Sequence, residues 1–492
     1  MNRGEFDALY RRGAECCWES FNRMQQRVLE LEGRLKQNSN NSHRPPSSDI
    51  AKAKRKANNS RVRSGRKPGA QPGHRGHTLK LVAKPDRTFV ILPPPCTCSH
   101  CFDGSETILN LERRQVVDIP KPVIETTEYI VRTLQCSYCR QSGKGIFPEH
   151  VNAPVQYGPN IRTLCISLHI GNFVPYGRTA ELINDMFGIR ISVGTLRNIV
   201  GQAAANSQPS VANIKQGIIS SPVVHFDETG SRCCGKREWD HVASTRILTF
   251  YYHHQHRGQS AMDAGGVLPN FTGNAIHDHW GSYYVYEKCQ HHPCNTHLLR
   301  DTQGIHDTYQ WAWSLAMKRH LQLGKRLVDE AKLRGERTLS SSQLNRFRAA
   351  YRKIIKAGRS EMPPPAPPPK GKRGRPARGK ALCLLDRLDA TSAQILSFMS
   401  DFDIPFDNNQ AERDMRMDKL KQKNSGGFRS AQGAKDFCDL RSVLSTSKKQ
   451  AVNVIETIRN LVKCVMPKID TSGHMGDPRT SHLPNQGDIG AE

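Results

Sequence analysis

Three acidic residues stand where a fold could bring them together. Asp227 closes the short run VVHF, Asp278 follows NAIH, and Glu412 lies in DNNQAERDMRM beside Arg413. Apolar, β-branched runs of this kind read as buried strands, so both aspartates are expected at strand ends along one edge. Asp407 is a good N-cap and Gln410 can complete a capping box, which predicts a helix opening at DNNQ with Glu412 in its second turn. Three carboxylates make a hard oxygen set of the sort that Mg2+ or Mn2+ prefers. Two such ions about 4 Å apart can activate an attacking oxygen and stabilise the leaving oxygen of a phosphodiester. In that arrangement Arg413, Arg416, Lys419 and Lys421 would face the phosphates. Taken alone, Glu412 has a plainer use, an i,i+4 pair with Arg416 on a wet helix worth a few tenths of a kcal/mol.

A second set is made of thiols. Cys98 and Cys101 in CTCSHC, with Cys136 and Cys139 in CSYC, form two C-x-x-C pairs that suit a tetrahedral structural Zn2+. Cys96 could stand in for Cys98. Four thiolates leave no open position on the ion, so this site would hold a fold and perform no chemistry. The chain has 15 cysteines, an odd count, and opens on MNRGEFDALYRRGAECCWES, which lacks the apolar stretch of an export signal. Thiols and metal ligands in a cytoplasmic protein are therefore expected, not a disulfide framework.

These side chains need elements to hold them. A length of 492 residues predicts several domains. Seventy-two Lys and Arg against 45 Asp and Glu leave a net charge of +27, whose natural partner is a polyanion such as double-stranded DNA. A membrane partner is disfavoured, because no apolar run approaches the roughly 18 residues of a span. Over 1–38, Cys17, Phe21, Met24, Val28, Leu31 and Leu35 alternate at four and three, one helical stripe that fits either a coiled coil or a helix docked on its own protein. Residues 39–92 read as a flexible basic arm in which Lys54, Arg55, Lys56, Arg61, Arg63, Arg66 and Lys67 meet phosphates. A zinc-binding domain at 93–150 and helices at 151–217 follow. Gly188 ends one of these helices and Ser192 caps the next, a helix-turn-helix shape that many proteins use without DNA. Segments 218–305 and 396–445 form the mixed core, interrupted at 306–395 by a helical insertion with a Pro-rich basic linker. In that linker Arg373 and Arg375 belong to an RGRP stretch, either a minor-groove hook or a plain tether. A C-terminal helix at 446–467 and a disordered tail at 468–492 complete an α+β, partly α/β, multidomain chain.

The ordered motifs HFDETG, HDHWGSYY, CNTHLLRD, DNNQAERDMR and KNSGGFRS, behind QNSNNSHRPPSSD and GAQPGHRGH, resemble the IS66 family of bacterial insertion-sequence transposases. The resemblance runs to about Val462. It implies a DDE transposase with an RNase H-like core, a zinc-ribbon-like domain before it and an insertion between the second Asp and the Glu. By matching motifs the acids are Asp227, Asp278 and Glu412. Asn408 and Asn409 of the same motif, with His297, Arg300 and Arg429, are candidates to support the site; His297 and Arg300 could equally pack the core. Gly426 and Gly427 could wrap a phosphate or form a simple turn. The chain departs from the expected pattern at His279, where a Gly is expected, and at Thr296-His297, where Ala-His is. The activity implied is cleavage at terminal inverted repeats followed by joining to target DNA, by a homo-oligomer that accessory proteins from the element could assist. A DNA-binding regulator, or a nuclease without the joining step, is the alternative.

Overall fold

The computed structural model describes residues 3–38, 41–42, 73, 80–91, 111–120, 123–362 and 379–472. Cys96, Cys98, Cys101, Arg373, Arg375, most of the 468–492 tail and the arm residues Lys54 to Lys67 lie outside them. The chain divides into two units, residues 61–147 and the remainder.

In the larger unit the N-terminus forms two helices, α1 (Arg3–Tyr10) and α2 (Ala14–Leu35), where one was expected. They break at Gly13, whose φ of 101° suits glycine. The stripe of α2 stays outside: Phe21, Met24, Val28, Leu31 and Leu35 are all exposed. Gly33 is buried instead, with no room for a Cβ because the side chain of Thr308 would lie 2.5 Å away. Asn41 follows with a 3.0 Å bond to Asp307.

The smaller unit contains an antiparallel hairpin of β1 (Thr133–Gln135) and β2 (Ser142–Lys144), and CSYC makes its turn.

Beyond the hairpin the larger unit resumes. Helices α3 (Pro159–Ile166), α4 (Tyr176–Phe187) and α5 (Val193–Ile219) precede the main sheet. Gly188 ends α4 in a left-handed conformation, and Ser192 Oγ accepts from the Thr195 N–H to start α5. The sheet has five strands, β3 (Val223–Cys233), β4 (Lys236–Ser244), β5 (Thr249–His254), β6 (Asn274–His277) and β7 (Gln290–Pro293), in the order β5-β4-β3-β6-β7. The first three pair antiparallel, while β6 and β7 run parallel to β3. The apolar runs VVHF, RILTFYYHH and NAIH point to only three of these strands. The polar KREWDHVAS and the short QHHP carry too little alternation to announce the other two.

Helix α6 (Gln259–Gly265) follows β5, and α7 (Asn295–Tyr309) follows β7. Then come α8 (Ala312–Leu333), α9 (Ser341–Glu361), α10 (Lys380–Ala390) and two short turns, α11 (Ser392–Ile395) and α12 (Ser397–Ser400). The chain returns through α13 (Asn409–Ser425), α14 (Ala431–Lys449) and α15 (Val454–Val462). α13 lies on β3 and β4, and α14 lies on β5 and α5.

Two apolar cores result. One joins the sheet to α3–α5 and α14 through residues such as Val224, Phe250, Ile214 and Leu444. The other fills the insertion with Trp313, Leu321, Phe347, Tyr351 and Leu385, and takes in Leu298, Leu299 and Ile305 of α7. The expected insertion boundary at 305/306 therefore falls inside a continuous helix, and the second core extends past 396 to Phe406. Likewise 445/446 cuts α14. No described helix is long and apolar enough to cross a membrane.

Candidate active site

Asp227 lies within β3 and not at its end, because the strand continues to Cys233 against β4. Only the parallel partner stops short: β3 and β6 pair last at His225 and Ile276, two residues before Asp227 and Asp278 respectively. The two aspartates are thus side by side where β6 gives way to a loop. Asp278 Oδ1 accepts from the Trp280 N–H at 3.1 Å. Between them in sequence His279 takes φ 73°, a left-handed conformation that glycine adopts without cost. Two contacts hold it there, its N–H on His277 Nδ1 and its ring Nδ1 on the Tyr284 hydroxyl, both at 3.1 Å.

The helix of Glu412 starts one residue later than expected. Asn408 is the N-cap, Asp407 Oδ1 accepts from the Asn409 N–H, no capping box forms, and Glu412 falls in the first turn. Asn408 makes no side-chain cap because the sheet uses both ends of its amide: Nδ2 donates to the Phe226 carbonyl at 2.7 Å and Oδ1 accepts from His225 Nδ1 at 2.9 Å. Glu412 does not pair with Arg416. Its Oε1 is buried without a hydrogen bond, 3.9 Å from His297 Nδ1 and 3.7 Å from Arg300 Nη2 on α7.

Electrostatics registers the convergence. The Asp227 carboxyl is held well above the ordinary range, first by burial and then by the negative charges of Glu228, Asp278 and Glu412. Such a site wants a cation. Three carboxylates with an orphaned buried oxygen fit a hard divalent ion by donor chemistry. Cys294 and His297 also come within 4.8 Å of Glu412 as a group able to hold a metal. Burial and the charge of Glu412 push the Cys294 thiol up to about 12, and its sulfur accepts from the Asn408 N–H.

Two residues escaped the motif reading. Glu228 is buried, and Arg257 binds its Oε1 through Nη2 at 2.6 Å and Nε at 2.8 Å, while the Tyr283 hydroxyl donates to Oε2 at 2.5 Å. Arg257 also lies 3.8 Å from Asp278 and 4.1 Å over the Trp280 ring. The Glu in HFDETG was the available signal; Arg257, in an unpatterned stretch of QHRGQ, offered none.

The other expected residues divide. Arg413 and Arg416 are exposed on α13, and Asn409 is half-buried at its start. Lys419 donates to the Gly230 carbonyl at 2.7 Å. Lys421 is buried, 3.4 Å over the Phe428 ring, and cannot face phosphates from there. Arg429 is not beside the acids: its carbonyl meets the Cys234 thiol past the far end of β3, about 20 Å of extended strand from Asp227. The GGF segment docks as a bridge, Phe428 N–H on the Arg232 carbonyl at 2.7 Å, and Gly427 has no room for a Cβ, which would lie 2.5 Å from that carbonyl. In the smaller unit Cys136 and Cys139 are exposed, and main-chain N–H groups of Cys139 and Tyr138 lower the Cys136 pKa.

Comparison with known proteins adds three findings. A family model described as Transposase IS66 family matches residues 154–436, more than half of the chain and all three acids. A second, described as a family of unknown function (DUF6444), matches residues 12–80. A curated relative, uncharacterized protein y4hP of Sinorhizobium fredii, is 25% identical over 170 residues, which are 33% of this chain and 30% of that protein. The chain thus spans less than a third of the curated relative it matches.

Proposed function

Because the chain belongs to the IS66 family of transposases, we propose that it acts as a DDE transposase, binding the terminal inverted repeats of an insertion sequence and catalysing strand cleavage and strand transfer. The observation that carries this reading is the convergence of Asp278 and Glu412, distant in sequence, on Asp227, whose carboxyl is held above its ordinary range by burial, by Glu228 and by these two acids. A regulator that only grips DNA has no use for that repulsion. The strand order β5-β4-β3-β6-β7, antiparallel then parallel, supports an RNase H-like core.

In this reading the three carboxylates hold Mg2+ or Mn2+. Bound there, the ions would supply activation of the attacking oxygen and charge stabilisation of the leaving one. The chain's own residues set the stage. Asn408 fixes the start of α13 on β3, Arg257 offsets part of the charge that Glu228 adds beside Asp227, and His297 with Arg300 flank Glu412. Arg413 and Arg416, exposed on the helix of Glu412, are positioned to meet a DNA backbone. Cys136 and Cys139, with Cys98 and Cys101, would hold structural Zn2+. The exposed stripe of α2 supports pairing of two protomers, so that both element ends are held at once.

The test is strand cleavage on DNA carrying the element's ends, with Mg2+ or Mn2+, by wild type and Glu412→Gln. Nicks at the 3′ ends by the wild type alone are expected, with binding by the variant unchanged. Equal binding with no cleavage by either protein, accessory proteins supplied, would favour the regulator.

A further inference from the structure

Away from the acids, three strands bring a different donor set together. Cys233 on β3, Glu238 on β4 and His253 on β5 share one face of the sheet, since Ser231 pairs with Glu238, Cys233 with Lys236 and Asp240 with His253. The thiol, one carboxylate oxygen and one ring nitrogen lie within 4.8 Å of one another. All three are interior: Cys233 is 1% exposed, and the side chains of His253 and Glu238 are 6% and 13% exposed. His253 Nε2 meets Glu238 Oε2 at 2.6 Å, and its Nδ1 meets Asp240 Oδ1 at 2.5 Å.

We propose that Cys233, Glu238 and His253 form a second metal site, for a divalent ion of the zinc class, with Asp240 orienting the histidine. The donors argue for that class. One thiolate, one imidazole and one carboxylate make a mixed set that zinc accepts and that Mg2+ does not favour. Asp240 behind Nδ1 leaves Nε2 for the ion, the carboxylate–histidine–metal arrangement that sets ring orientation at metal sites. Binding releases two protons, one from the Cys233 thiol and the one now held between His253 and Glu238. The Lys421 ammonium, near Asp240 and Cys233, would join the ion in offsetting the charges of the Cys233 thiolate, Glu238 and Asp240. Asp418 of α13 also faces Asp240, and burial followed by that neighbour's charge raises its carboxyl well above the ordinary range.

The site would act as a clasp. It ties the β3–β4 hairpin to β5 directly beneath the loop where Phe428 bridges Cys233, and the His253 ring meets the Phe428 ring edge-on at 5.8 Å. That loop ends α13, so the clasp steadies the platform of Glu412 without contributing to the acidic site.

The experiment measures zinc per chain in full-length protein stripped with a chelator and reloaded with Zn2+ alone. Cys136→Ser/Cys139→Ser, which removes the thiol pair of the smaller unit, should keep one tightly held zinc. Adding Cys233→Ser or His253→Gln to it should remove that zinc. Glu238→Gln, the least buried change, should keep the fold by circular dichroism and weaken zinc at least tenfold. Loading Co2+ into the Cys136→Ser/Cys139→Ser protein should give a tetrahedral spectrum with one sulfur-to-metal band. No metal in that protein, or metal unchanged by Glu238→Gln and Cys233→Ser, would overturn the proposal.

Discussion

Asn408 donates from Nδ2 to the main-chain carbonyl of Phe226 at 2.7 Å, which ties the residue before the helix of Glu412 to the residue before Asp227. The spacing of the first and third acids is thus set through one buried amide. Asn408→Ala leaves the Phe226 carbonyl and His225 Nδ1 buried without their partner, at a cost of about 1–3 kcal/mol. Urea unfolding should show that loss, and at temperatures where the variant is fully folded its DNA cleavage should fall at least tenfold more than its DNA binding. Equal decline of both would mean that Asn408 only stabilises.

Asp227 carries a folded pKa above its unfolded one, from burial and then from Glu228, Asp278 and Glu412. The stability linked to its proton is present below the ordinary carboxylate value, near 4, and is lost as pH rises through the folded value. Metal-free Asp227→Asn should therefore melt above the wild type at about pH 8, and the gap should close as pH falls towards about 4. Mg2+ should raise the melting temperature of the wild type and not of the variant. A variant that melts lower at every pH would refute the linkage.

Arg257 is 38% exposed at its side chain and Glu228 only 1%, so the carboxylate depends on the guanidinium. Breaking a fully buried pair costs about 3–5 kcal/mol, and with the guanidinium partly solvated about 2–3 kcal/mol is expected for Arg257→Gln. Adding Glu228→Gln should recover most of it. Strictly additive losses in the double variant would show that the two do not act as a pair.

His279 holds a left-handed φ of 73°, worth about 1–2 kcal/mol of strain, against a hydrogen bond from the Tyr284 hydroxyl worth about 1 kcal/mol. The two nearly cancel when both go, so His279→Gly should lie within about 1 kcal/mol of the wild type by denaturant titration. His279→Val keeps the strain and loses the bond, and should cost at least about 2 kcal/mol. A large loss in the Gly variant would mean that the imidazole, not the backbone, shapes the loop.

Local signals were read well where they act locally. Gly188 and Ser192 end and begin helices by backbone conformation and a hydroxyl cap, and both do so here. The strands that carry Asp227 and lead to Asp278 were legible because apolar runs announce them. Signals failed where a distant partner competes: Asp407 lost the cap position to Asn408, whose side chain the sheet had claimed. Lys421 looked like a phosphate ligand among its charged neighbours until Phe428 and the Gly426 carbonyl took its ammonium. Arg257, Tyr283 and the Cys233–Glu238–His253 group depend on strand register, which no short window of residues encodes.

Helix α7 opens with His297 and Arg300 beside Glu412 and continues, without a break, into Leu298, Leu299 and Ile305 of the insertion's core. The insertion is therefore not a separable module: within 295–309 the residues flanking Glu412 and residues of the insertion's core share one helix, so a change in that core is expected to shift His297 and Arg300 with it.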